Sequence, residues 1–198
     1  MTHANPLSPL LLALAGLYAS ENRPGGAVAA QALIAAALQP AALVPARPGP
    51  LDDELQAILA GDPHPISALV RDATPWLPWV FSELSGRIRP DIAHGMMQTE
   101  LVGPDGIFPH DQVRVGLWLQ SANLDYVTRA HAAEETFFIL GGGAIWQAGN
   151  AAPAWQGVGA LIHHPSLTPH SDCTRESPLL AAWRWTGDIA VEGYTLTG

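Results

Sequence analysis

From Trp76 onward the chain is cut into short apolar runs by turn residues, and this rhythm leaves few folds open. Residues 96–102, 113–120, 125–130, 136–140, 144–148, 160–164 and 179–186 read as strands. Gly103-Pro104-Asp105-Gly106, the three glycines at 141–143 and Gly149-Asn150 stand between them as turns. Closely spaced strands with Gly, Pro and Asp turns build a β-sandwich or a small barrel. In residues 114–120, Arg114, Gly116, Trp118 and Gln120 alternate with Val115, Leu117 and Leu119, the pattern of a strand with two distinct faces. No period of solenoid length is present. The front of the chain has another texture. Residues 8–20 and 27–38 are rich in Ala and Leu and read as two helices, with Pro24-Gly25-Gly26 as the breaker. Four prolines between 40 and 50 mark a connector. Residues 51–70 start with helical spacing, have Asp52 and Asp53 where a helix dipole favours negative charge, and are interrupted at Gly61-Asp62-Pro63. The expected architecture is mainly β: a barrel at 75–198 preceded by an α-helical N-terminal region at 1–74 that packs on it.

Composition removes several functions. At 198 residues the chain can bury a core, and with 48% hydrophobic and 14% charged residues it is globular. The net charge is −9, and all nine basic residues are arginine. A nucleic-acid partner is disfavoured, because phosphate binding needs a basic face. Without lysine there is neither Schiff-base chemistry nor a Walker-type phosphate loop. The acidic balance is compatible with a cationic small substrate, although solubility is its commoner purpose. Cys173 is the single cysteine, so no intrachain disulfide forms and a reducing compartment is expected. The apolar run 10–19 lacks a basic flank and is too short to span a bilayer. These features point to a cytoplasmic protein without a membrane partner.

One stretch carries candidate chemistry. Residues 123–143, NLDYVTRAHAAEETFFILGGG, place an imidazole at His131 and a carboxylate at Glu135, and a proline-rich turn further on leads to His170. Neutral imidazole and carboxylate are good ligands for a divalent first-row metal. A bare H-x-x-x-E is more often a pair of ordinary polar residues on a wet strand. Inside a narrow barrel, however, a carboxylate and two imidazoles need either mutual hydrogen bonds or a metal. Spacing alone leaves both readings open.

The same stretches resemble the paired motifs of the cupin superfamily. Asn123 stands at the first motif's opening glycine, Arg129 at its first histidine, His131 at its second, Glu135 at its glutamate and Gly142 at its closing glycine. In the second motif Gly159, Pro165 and His170 match, with Thr174 where asparagine is usual. More closely, residues 100–120, the HAAEETFFILGG block, 161–170 and 178–189 resemble the dimethylsulfoniopropionate (DMSP) lyases of this superfamily. The resemblance implies a cupin-type barrel (a double-stranded β-helix, or jelly roll), commonly a homodimer. It also implies a metal-dependent carbon–sulfur lyase that cleaves DMSP to dimethyl sulfide and acrylate by β-elimination, with a small molecule as its partner. His131, Glu135 and His170 carry over as ligands, and Tyr126 matches a tyrosine near the family's site. Arg129 stands where the other histidine ligand is expected and Phe137 where the base tyrosine is. Either Tyr126 takes the proton with three protein ligands sufficing, or the scaffold carries a changed or lost activity. Arg129, in turn, either points out of the barrel or clamps a substrate carboxylate.

Two imidazoles and one carboxylate accept zinc, iron, manganese, cobalt or nickel, with zinc the first expectation. Around them, Trp118, Trp183 and Trp185 are candidates to hold a sulfonium by their aromatic faces, or simply fill the core. His163 and His164 are adjacent on a strand, so one faces in and one out; His163 is the candidate for the pocket. Tyr126 has the wrong strand parity relative to Arg129 and His131, which a bulge would repair. His3, His64, His94 and His110 carry no signal of their own. The rival functions are another cupin reaction on a small acid, by a dioxygenase or isomerase, and a non-catalytic cupin that binds a small metabolite.

Overall fold

The structure is a computed structural model, which describes residues 4–61, 63–82 and 86–196; His3 and Asp62 lie outside them. Its helices are α1 (Ser8–Ala19), α2 (Pro24–Leu38), α3 (Asp52–Ala60), α4 (Ile66–Ala73) and α5 (Pro90–Ala93). Its strands are β1 (Val80–Phe81), β2 (Met96–Gly103), β3 (Phe108–Pro109), β4 (Val113–Gln120), β5 (Asp125–Ala130), β6 (Ala133–Ala148), β7 (Ala154–Gly157), β8 (Leu161–His164), β9 (His170–Cys173), β10 (Leu179–Gly187) and β11 (Thr195–Leu196). Hydrogen bonding orders the sheet β1-β2-β4-β10-β6-β9-β5-β11, with β3 on β2 and both β7 and β8 on β6. A mainly β curled sheet with a helical front is the architecture expected. Among the described residues no helix is long and apolar enough to cross a membrane.

Alternation in β4 divides two cores. Val115, Leu117 and Leu119 face the helices and pack with Leu10, Leu14, Leu33 and Leu55. Trp118 faces the other way, into a second cluster with Tyr126, Phe137, Trp146, Trp183, Trp185 and Tyr194, which is the interior of the curled sheet. Gly116 shares the face of Trp118, and a side chain there would collide with the Trp183 indole and the Thr99 carbonyl. The missing Cβ makes room for the larger ring.

Two breakers act differently from their sequence reading. Pro24, Gly25 and Gly26 form the first turn of α2 rather than a gap before it; proline is tolerated there because the first N–H groups of a helix are unpaired in any case. The three glycines at 141–143 do not end a strand. They lie within the 16-residue β6, where the pairing with β10 shifts register between Leu180 and Ala181. Gly142 takes a φ of 66° at this irregularity, in the left-handed region that glycine enters without steric cost.

A buried charge cluster joins the helical front to the sheet. The Arg184 guanidinium on β10 donates to both carboxylate oxygens of Glu21, just past α1, and at 2.7 Å to Glu134 Oε1 on β6; the Thr136 hydroxyl donates to Glu21 Oε1 at 2.7 Å. Arg184 and Glu21 side chains are fully enclosed. Glu134 and Thr136 flank Glu135, so this cluster fixes the strand segment that carries it. Substituting Glu21→Ala is expected to lower stability by about 3–5 kcal/mol, because Arg184 is left as a buried charge lacking its main partner. Urea unfolding measures it, and joint Glu21→Leu and Arg184→Met replacement recovers most of the loss. A fall below about 1 kcal/mol for Glu21→Ala is the contrary result.

Candidate metal centre

The three ligand candidates singled out in sequence come from three separate segments. His131 lies in the link between β5 and β6, Glu135 on β6, and His170 at the start of β9. Positive φ angles shape the approaches. Asn123, at the motif's opening glycine position, has φ 56°, a conformation that asparagine tolerates better than most residues. Leu167 has φ 61° in the proline-rich turn, and its N–H donates to the His131 carbonyl at 2.8 Å. That bond ties the loop that delivers His170 to the one that carries His131. Thr174, at the usual asparagine position, donates to the Ser121 carbonyl at 2.5 Å and accepts the Leu124 N–H at 3.0 Å, which pins the entrance of β5.

The ligand atoms of His131, Glu135 and His170 converge within 4.8 Å of one another, and all three residues are buried. His131 Nδ1 lies 3.0 Å from the Ala133 carbonyl and His170 Nδ1 2.8 Å from the Thr168 carbonyl. A carbonyl oxygen only accepts, so Nδ1 carries the hydrogen in both rings and Nε2 is left with the second position. The two Nε2 atoms stand 3.3 and 3.2 Å from Glu135 Oε2, yet neither has a hydrogen-bond partner among the described residues. Burial, and next the Arg129 charge, depress the His170 pKa to about 4. At neutral pH its Nε2 therefore presents a lone pair toward a carboxylate oxygen, a repulsive contact that a cation between them turns attractive. The donor set fits a divalent transition ion, with backbone carbonyls orienting both imidazoles from behind.

Glu135 is held from further sides. Trp185 Nε1 donates to Oε1 at 2.6 Å, and His164 Nδ1 lies 2.9 Å from Oε2. Burial pushes the Glu135 pKa up, but the surrounding imidazoles, His131 first, outweigh it and hold it well below the usual carboxylate range. His164 stacks on His170 with centroids 3.9 Å apart and planes 12° from parallel. Of the adjacent pair it is His164 that faces inward. His163, the expected pocket residue, faces the other way, with Nε2 3.4 Å from Glu134 Oε1. Parity had left that choice open, and the register Glu135↔His164 decides it.

A cavity of about 710 Å³ opens over this centre, lined among others by Trp118, Tyr126, Arg129, Glu135, Phe137, Trp183, Trp185 and Tyr194. Tyr126 does reach it: the β5–β9 pairing shifts register between Tyr126 and Arg129, the irregularity its parity required. Arg129 points inward and donates to Asp172 Oδ1 at 2.7 Å. Burial alone would depress its pKa, but Asp172 and the neighbouring phenols outweigh that and keep it charged. Phe137 packs at 5.1 Å from Trp118 and 5.0 Å from Trp146. Tyr194 and Asp172 went unnoticed in sequence. Tyr194 shares a hydroxyl–hydroxyl hydrogen bond with Tyr126 and stacks on His131 at 5.7 Å; it follows a turn with no periodic pattern.

A curled β-sheet whose interior gathers two imidazoles and a carboxylate from motifs far apart in sequence defines a cupin. The sequence pattern of the DMSP lyase (dimethylsulfoniopropionate lyase) family matches residues 27–181, most of the chain, and the chain belongs to that family. It is 29% identical over 197 aligned residues to the dimethylsulfoniopropionate lyase DddQ of Ruegeria pomeroyi, covering 96% of this chain and 94% of that one. The crystal structure of DddQ from R. pomeroyi DSS-3 superposes with a TM-score of 0.69 at 23% identity, over 98% of this chain and 97% of that one. A structure from work on the DMSP lyases RdDddP and RnDddQII gives 0.66 at 22%, over 96% and 100%. These two likenesses concern the fold.

Two outcomes follow from the centre. His164→Ala removes a donor from Glu135 and is expected to weaken divalent-metal binding by about 10- to 100-fold in chelator competition. Unchanged affinity would show that His164 only packs. Second, the unfolded chain protonates His170 near 6.5 and the native protein only near 4, so the unfolded state holds the extra proton between those values. Stability of the chelator-treated protein is therefore full above 6.5 and falls as pH drops toward 4, and the depressed Glu135 adds a loss of the same sign below its ordinary value. Melting temperatures across that window test this: His170→Asn should flatten the slope, and a flat wild-type profile contradicts it.

Proposed function

We propose that the protein is a metal-dependent carbon–sulfur lyase that cleaves DMSP to dimethyl sulfide and acrylate. The observation that carries this is the convergence of His131, Glu135 and His170 at an aromatic cavity that Glu135 and Tyr126 both line. Family membership supplies the substrate and the reaction class. When bound, a divalent ion, zinc in the first instance, supplies Lewis acidity that polarises the substrate carboxylate.

The chain's own residues do the rest. Trp118, Trp183 and Phe137 present aromatic surface to the sulfonium, which the ring quadrupoles attract as they do other cations. Tyr126 is the proton acceptor. It first gives up its own proton to solvent; as the phenolate it takes the α-proton, the C–H electron pair becomes the new double bond, and the Cβ–S bond breaks with its electrons leaving on neutral dimethyl sulfide. Burial raises the Tyr126 pKa to about 12 and the Arg129 charge opposes that rise. The guanidinium carbon sits 3.8 Å from the Tyr126 ring centroid, so a cation is at hand as the phenol gains anionic character. Tyr194 shares a hydrogen bond with the same hydroxyl. In this reading residues 1–74 form a helical cap and 75–198 the catalytic barrel, and the enzyme works in the cytoplasm, where Cys173 needs no partner.

Headspace detection of dimethyl sulfide after incubating the metal-loaded protein with DMSP is the direct test. Release that depends on metal is expected, and its absence at all metals tried would overturn the lyase reading. Tyr126→Phe is expected to lower kcat by about 100- to 10,000-fold while metal content is unchanged. Retained turnover in that variant would move the proton acceptor elsewhere.

A further inference from the structure

We propose that Arg129 is the carboxylate anchor of the cavity, and that it restricts ligands to small acids with a free carboxylate. The proposal rests on the lyase reading for the identity of the acid and on geometry for the anchor. Arg129 is 2% exposed, and its guanidinium is fixed by two neighbours. Nη2 donates to Asp172 Oδ1 at 2.7 Å, and the Tyr126 ring lies 3.8 Å from the guanidinium carbon. These contacts leave Nη1 buried with no hydrogen-bond partner among the described residues, on a side chain that lines the cavity. Asp172 Oδ2 is also unpartnered, so the pair is joined by one bond rather than the two-bond fork that arginine and carboxylate usually form. A guanidinium saturated by its own aspartate would be structural; this one keeps a donor in reserve.

The Trp118 ring is 5.9 Å from the Arg129 guanidinium carbon, and Trp118 Nε1 is likewise buried and unpartnered among the described residues. An orphaned buried donor is costly, and one that lines a cavity is the usual mark of a ligand acceptor site. Charge sets the acceptor's type. Asp172 compensates the guanidinium formally, and a single amino group remains, which suits one carboxylate rather than a phosphate. The aromatic surface of Phe137 and Trp183 bounds the same cavity and takes the rest of a small acid. An amide or ester presents a neutral carbonyl to Nη1 and loses the charge-assisted bond.

The chelator-treated full-length protein, titrated by calorimetry with 3-(methylsulfanyl)propanoate and with its amide, separates this anchor from metal chemistry. Wild-type protein is expected to bind the carboxylate at least about 10-fold more tightly than the amide. Replacing both members of the pair, Arg129→Met with Asp172→Leu, leaves no lone buried charge. It should weaken the carboxylate about 10- to 100-fold and the amide by much less. Arg129→Lys keeps the charge without the planar fork and should give an intermediate loss, a readout that stands if the double variant does not fold. Equal binding of acid and amide by the wild type, no measurable binding of the acid, or wild-type affinity in either variant would overturn the proposal. Failure of dimethyl sulfide release with the acid-over-amide preference intact would overturn the lyase reading alone.

Discussion

A single buried carboxylate organises the interior of this barrel. Glu135 is 4% exposed, and an ionised carboxyl at such a place is sustained only by charge or donors on every side. Its surroundings come from four directions: His131 from the β5–β6 link, His164 from β8, His170 from β9 and Trp185 from β10. Each of these elements borders β6 or leads into it. The sheet must therefore curl before the carboxylate is satisfied, and the carboxylate gives the curl a reason to persist. On the opposite face of β6, Glu134 and Thr136 engage Arg184 and Glu21, so the strand is gripped by polar contacts on both sides.

The charge inside follows a simple count. Glu135 and Asp172 contribute two negative charges and Arg129 one positive, while His170 is kept neutral by burial and by Arg129. The interior is then short of one positive charge, before any contribution from His131 or His164. A divalent ion at the His131–Glu135–His170 cluster reverses that sign. Arg129 sits directly across the β5–β9 ladder from His170, and its partner Asp172 lies two residues along β9 from that ligand. Replacing a neutral histidine ligand by arginine alone would add a charge that repels the ion. Here the substitution comes with a carboxylate that screens it.

How much of this was legible in the sequence depended on whether a side chain's surroundings were local. Strands β4, β5 and β10 could be bounded closely because their apolar runs end at clear turn residues. His-Ser-Asp-Cys, which becomes β9, is short and polar and gives no such signal; its strand character comes from pairing with β5 and β6. Tyr126 had the wrong parity for the pocket until the register shift beside Arg129 turned it inward. The choice between His163 and His164 needed the β6–β8 register. Asp172 means nothing until Arg129 is known to face it, and Tyr194 lies past residue 181, where the family pattern ends. The metal-ligand candidates were legible because they sit in motifs. Their supporting residues were not, because support is a tertiary property.

The departure at Phe137 makes sense in the same terms. Its ring touches Trp118, Trp146 and, at 6.1 Å between centroids, His164, a corner built of aromatic surface. The phenols stand elsewhere, at Tyr126 and Tyr194, on β5 and just before β11, with Arg129 on β5 and Asp172 on the neighbouring β9. The cavity is thus divided: donors and phenols toward β5, aromatic faces toward β4, β6 and β10. A zwitterionic acid has one orientation that suits this division, carboxylate toward Arg129 and cationic sulfur toward the indoles, since the reverse would set sulfonium against guanidinium. In that orientation the α-carbon, bonded directly to the carboxylate, is the end held beside Tyr126. A phenol at residue 137 would stand on the aromatic side of the cavity, across from that end.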